Sequence, residues 1–144
     1  MGWTEARDQL TGALEALTLS TWSEGLPASG LTNVPSGDAT RSRTFWWRVR
    51  GFAVHSPATL NMQAVDVSLF LNYALMRDLQ SLDAVMMADA TRVTDAIIDE
   101  TNWNRPASTI VAVGQGGPFL LRSTVADGDD ITQMEINFTI DVRT

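Results

Sequence analysis

Cysteine is absent from this sequence, lysine is absent, and histidine occurs once, as His55. Without cysteine there is no disulfide framework, no thiolate metal site and no cysteine nucleophile. A single imidazole excludes a histidine-rich metal centre and any mechanism that needs two imidazoles. Long apolar runs are missing too. Nothing approaches the ~18 residues of a membrane-spanning helix. The opening MGWTEARDQL is charged and has no apolar h-region, so no secretory signal is expected there. Its Met-Gly start does not complete a myristoylation motif, because position 6 is Ala6 rather than Ser or Thr.

Positive charge is scarce and uneven. The net charge is −7, and all ten basic residues are arginines. Four of them fall in RSRTFWWRVR, residues 41–50, which has no acid. The rest of the chain is strongly acidic. That argues against general nucleic-acid binding, which needs a basic surface. The length of 144 residues suits a single domain spanning 1–144. A domain of this size buries about two-thirds of its unfolded surface and needs no covalent staple.

What is present is periodicity. Ala6, Leu10, Ala13, Leu14 and Leu17 recur at helical spacing, with Thr4 as the expected cap and Glu5 and Asp8 near the positive end of the helix dipole. Trp3, just before that cap, is placed to staple the first turn. The helix is expected to stop between Leu17 and Thr21. A long loop at about 23–43 follows, rich in glycine, proline and small polar residues. A tolerated surface excursion and an arm that orders against a partner both fit it. TFWWRVRGFAVHS then reads as a strand. Phe45, Trp47 and Val49 share one face; Trp46, Arg48 and Arg50 share the other. That second face is either wet, with arginine stems over the indole, or a contact surface of the Trp and Arg type found at interface hot spots.

MQAVDVSLFLNYALM alternates again, with Val65, Val67, Leu69 and Leu71 opposite Asp66, Ser68, Phe70 and Asn72. A hairpin with the preceding strand is the economical pairing. A second helix, started by Ser81 or Asp83, carries the stripe Leu82, Met86, Ala90, Val93 and Ile97. Asp89, Arg92, Asp95 and Asp99 are placed largely outside that stripe. Met86 and Met87 read as core filler rather than an adaptable groove. NWNRP ends the helix, because Pro106 cannot continue it. STIVAV is a short strand, GQGG a hairpin turn, PFLLRSTV a strand and ADGDD a turn. DGDD lacks the spacing of a calcium loop, and no helix follows GQGG to hold an anion. The closing MEINFTIDVR alternates strictly: Met134, Ile136, Phe138, Ile140 and Val142 against Glu135, Asn137, Thr139, Asp141 and Arg143.

No serine sits in a nucleophile elbow, and His55 follows a strand without a partner in sequence. Asp99 and Glu100 sit together at a helix end, where solvation explains them. No catalytic, metal or cofactor set is assigned. The expected fold is α+β, a single domain with a largely antiparallel or mixed sheet and two helices packed on one face.

That order resembles the tail terminator family of long-tailed bacteriophages. The features that carry the likeness are TEARDQLTGALEAL, the long loop before TFWWRVRGF, QAVDVSLFL, LDAVMMADATRVTDAIID and MEINFTIDVR. The resemblance implies a non-enzymatic virion protein of the phage tail and neck, assembled in the host cytoplasm. It implies a homo-oligomer, a hexameric ring, with the tail tube protein on one face and the head–tail connector or adaptor protein on the other. Genomic DNA would pass through the lumen without specific binding, and no cofactor or membrane is involved. Under this reading the candidate subunit or partner interface is Arg41, Arg43, Trp46, Arg48 and Arg50, opposed by an acidic surface containing Asp89, Asp95, Asp99 and Glu100. Two other classes remain in view: another neck or tail-tube structural subunit, and a small-molecule-binding or enzymatic α+β domain with a pocket between helix and sheet.

Overall fold

The chain folds in the order α1 (Trp3–Glu15), β1 (Thr32–Asn33), β2 (Thr44–Val54), β3 (Met62–Ala74), α2 (Leu79–Ile98), a 3₁₀ turn (Glu100–Asn102), β4 (Ile110–Gln115), β5 (Leu120–Ala126) and β6 (Asp129–Arg143). The computed structural model describes residues 2–19, 31–36, 43–54, 62–74, 79–103, 109–115, 120–126 and 129–143. The α+β expectation holds: the strands form one mixed sheet in the order β1-β2-β3-β6-β4, with β5 also on β6.

The alternating last strand is an interior strand of that sheet, paired on both edges. One edge of β6 pairs antiparallel with β3 from Met62↔Arg143 to Ala74↔Ile131. Its other edge takes β4 against its C-terminal half and β5 against its N-terminal half. Being paired on both edges suits a strand whose apolar face is unbroken. Met134, Ile136, Phe138, Ile140 and Val142 are all buried. They meet Val65, Val67, Leu69, Leu71 and Tyr73 of β3, Ala6, Leu10 and Leu14 of α1, and the complete α2 stripe Leu82, Met86, Ala90, Val93 and Ile97. Each of the larger aliphatic and aromatic side chains contributes about 1.5–3 kcal/mol of transfer free energy.

Several expectations are corrected. GQGG does not turn a hairpin between neighbouring strands. β4 and β5 do not pair with each other; both run antiparallel to β6, from Ile110↔Val142 to Gln115↔Phe138 and from Leu120↔Glu135 to Ala126↔Asp129. They are two collinear pieces of one edge, and Gly114 and Gln115 belong to the first piece. Glycine reads as a turn in isolation, but β6, held by β3 on one side, leaves its other edge for both segments to share. The hairpin of β5 with β6 closes at Ala126↔Asp129, as the Asp-Gly pair between them predicts.

The loop at about 23–43 is not loop throughout. Within 31–36, Leu31 is buried, and β1 pairs parallel with β2 through Thr32↔Thr44 and Asn33↔Phe45. Residues 23–30 and 37–42 of that segment, Arg41 among them, lie outside the described residues, as do His55 and Pro106.

Thr4 does not cap α1. The cap position is Gly2, at φ 74°, in the left-handed region that glycine enters without a Cβ penalty. Trp3 lies inside the first turn and packs edge-to-face on Trp47 at 5.7 Å. The second helix starts earlier than Ser81 or Asp83, at Leu79. It ends at Ile98, where Asn102 Nδ2 donates to the Ala96 carbonyl (2.8 Å) and Trp103 Nε1 to that of Ile97 (2.9 Å). Those are last-turn carbonyls with no helical donor of their own.

Candidate functional site

Of the residues singled out as an interface, Arg43, Trp46, Arg48 and Arg50 lie in or next to β2 and fall into two groups, while Arg41 lies outside the described residues. The first group is buried. Arg43 enters β2 at φ 57°, the only described non-glycine residue in the left-handed region. Its main chain is held on two sides: its N–H donates to the Asn72 carbonyl (2.7 Å) and its carbonyl accepts from Thr32 N–H (3.0 Å). Its guanidinium points into the core at 1% exposure and makes a two-pronged pair with Asp89 of α2, Nε to Oδ2 at 2.9 Å and NH2 to Oδ1 at 3.0 Å. Tyr73 Oη donates to the same carboxylate at 2.7 Å. Burial, reinforced by the Asp89 charge, pushes the Tyr73 phenol well above its ordinary range.

Arg43 and Asp89 are therefore removed from the expected interface, and they neutralise each other within one subunit. Neither is available to an approaching partner. The signal was present in the sequence. Asp89 lies three residues after Met86 and four before Val93, which places it on the flank of the apolar stripe and not opposite it. What that spacing cannot name is the arginine 46 positions away.

The second group is at the surface. The outer face of the sheet, opposite the helices, carries Trp46 stacked on Phe70 with centroids 5.1 Å apart and planes at 18°. Beyond it Arg48 and Arg50 are exposed, and their guanidinium groups make no hydrogen bond or ion pair with a described residue. Arg50 sits at an irregularity of the strand, because the ladder shifts between Val49 and Gly51. Such a bulge adds one residue and flips the faces that follow. Phe52 consequently pairs with Val65 on the helix-side face, where it is 67% exposed.

Further across, the outer face is a lattice of cross-strand polar contacts. Ser68 Oγ bridges Glu135 Oε2 (3.0 Å) and the Asn137 side-chain oxygen (2.8 Å). Thr139 Oγ1 donates to Asp66 (2.8 Å), and Asn72 Nδ2 to Thr44 Oγ1 (3.3 Å). The remaining acids of the expected surface, Asp95, Asp99 and Glu100, are exposed. Asp99 is engaged locally: its Oδ1 accepts from Thr101 N–H at 3.0 Å and so caps the 3₁₀ turn.

Two concavities flank β2. One, of about 230 Å³, is lined by Arg7, Asp8, Asn33, Pro35 and Trp47. The other, about 260 Å³ and open, is apolar and lined by Trp3, Val49, Phe52, Gln63 and Val65. Among the described residues no group of three or more His, Asp or Glu is placed to hold a metal ion, and no helix is long and apolar enough to cross a membrane. No protein-family model matches the chain, and no curated protein matches it.

Proposed function

We propose that this chain is a non-enzymatic structural subunit of a phage tail, a terminator that closes the head-proximal end of the tail tube as a ring and joins it to the head connector. The reading rests on the resemblance in layout. One observation carries it further: on the sheet face turned away from the described helices, the Trp46–Phe70 pair is stacked, and Arg48 and Arg50 of the same strand are exposed. Aromatic and arginine side chains in that combination are what interface hot spots are built from. The acidic balance of −7 suits a lumen through which DNA slides, because every arginine or lysine contact to phosphate adds salt-dependent affinity.

A ligand-binding domain is the competing class, and the concavity beside Arg7 and Trp47 is the observation in its favour. At about 230 Å³ it falls below the ~300–1,000 Å³ usual for small-molecule sites. The test is native mass and sedimentation of the chain with and without tail tubes. A closed ring that halts tube elongation is the expected result. A chain that stays monomeric with tubes present, and leaves their elongation unchanged, overturns the terminator reading.

A further inference from the structure

We infer that the distal half of β2 takes an extended acidic segment of a partner protein as an added strand, one in which apolar residues alternate with the acids. The proposal goes beyond the terminator reading and stands without it. Hydrogen bonding fixes which main-chain groups are on offer. The carbonyls of Arg43 and Phe45 accept from Thr32 N–H (3.0 Å) and Val34 N–H (2.8 Å), so these two residues turn their backbone toward β1. Strand alternation brings Trp47 and Val49 to the same edge. β1 stops at Asn33, opposite Phe45. No described residue bonds to the main chain of Trp47 or Val49 on that side. Edge N–H and C=O groups in such a row are a template for another strand.

The side chains define the guest. On the helix side, Val49 is 40% and Phe52 67% exposed, and both line the open apolar groove of about 260 Å³ with Trp3, Gln63 and Val65. A strand laid along this edge turns every second side chain into that groove, where apolar groups fit. The intervening side chains lie on the outer face beside Arg48, within the reach of cross-strand pairs. The Arg48 and Arg50 guanidinium groups are exposed and unpaired among the described residues, so acids complement them. Asp66, across the ladder from Gly51, lies on β3 and accepts from Thr139.

The same charges select against other occupants. A second β2 would set Arg48 against its own copy, and a basic segment would meet the same repulsion. The ladder shift at Arg50 ends the regular edge, so the seat is short. Main-chain bonding holds the guest, and the two arginines choose it.

The probe is a short end-capped peptide of alternating valine and glutamate, titrated into the isotope-labelled full-length chain. Amide shifts are expected to move along Trp46 to Ala53, and the peptide should bind at least ~10-fold tighter than its valine–lysine counterpart. Arg48→Glu/Arg50→Glu should reverse that preference. Val49→Pro removes an outward N–H, a change that edge strands tolerate, and should abolish binding without altering thermal unfolding. Peptides N-methylated at every valine or at every glutamate ask the same of the wild-type chain. One should bind and the other not, since only one set of N–H groups faces β2. No binding, equal binding of the acidic and basic peptides, equal binding of both N-methylated forms, or shifts confined to other elements would overturn the added strand. An Arg48→Cys chain, whose cysteine has no other thiol in its subunit, tests self-pairing. Ready disulfide dimers would name a second β2 as the occupant and overturn the acidic guest. The terminator reading is scored separately, by tube growth.

Discussion

The two ends of β2 contain the same kinds of residue and meet opposite fates. At its start, Arg43 to Phe45 are buried, paired to β1 on one side and β3 on the other, and tied through Asp89 to α2. Five residues later Arg48 to Ala53 are largely exposed, and β3 is their only described strand neighbour. The difference shows that a cluster of arginines in sequence is not a cluster in space. Where a residue has neighbours on both edges and a helix above it, charge must be matched internally. Where the described strand neighbours lie on one edge only, the same charge stays exposed.

The sharpest way to break this comparison is to remove one partner of the buried pair. Arg43→Met leaves Asp89 as an uncompensated buried carboxylate and should cost about 3–5 kcal/mol in urea unfolding. The double variant Arg43→Met/Asp89→Leu should recover much of that loss, since replacing both charges by apolar groups is often close to neutral. A single Arg43→Met no worse than Arg48→Met would erase the distinction between the two ends.

Next comes Tyr73→Phe, which deletes the hydroxyl donor to Asp89. A loss of about 1–3 kcal/mol is expected, as for other hydrogen bonds to a charged group. The pH dependence is also defined. The folded phenol titrates above its unfolded value, so its contribution is complete below about pH 10 and disappears as the pH climbs from there. Tyr73 is the sole tyrosine, so phenolate absorbance reads this group alone. Native protein should show no phenolate until it unfolds, and Tyr73→Phe should flatten the alkaline slope of stability.

A smaller effect is expected at the junction of the two ends. A double-mutant cycle of Trp46→Ala and Phe70→Ala should give a coupling of about 0.5–1.5 kcal/mol for the stacked pair. Coupling near zero would mean that the stack is incidental in the isolated subunit. The smallest effect on folding belongs to Arg48→Ala and Arg50→Ala. Each should change stability by no more than about 0.5 kcal/mol, while sedimentation shows weaker self-association, more so at low salt where exposed charges act furthest.

Much of the fold could be read from the chain because its signals are local. Period-2 alternation placed Val65 to Leu71 and Met134 to Val142 on the buried face, and the 3.6-residue period picked out the α2 stripe from Leu82 to Ile97. The inward facing of Phe52 was not legible because a bulge is one residue inserted into an otherwise regular pattern, and its cause lies in the neighbouring strand. The turn assigned to GQGG failed for a similar reason: glycine content marks flexibility, not whether the next strand returns or continues along the same edge.

The sequence by itself determined which residues face inward on each regular strand and helix, since backbone geometry alone sets those periods. It also determined the surplus of acid and the isolation of the basic residues at 41–50. Only the tertiary structure decided that Arg43 turns inward to Asp89 while Arg48 stays out, that β6 lies inside the sheet next to β3, and that β4 and β5 share its other edge. Each of those outcomes depends on contacts between residues far apart in the chain. Local spacing sets the direction in which a side chain leaves the backbone, but not the group that waits there.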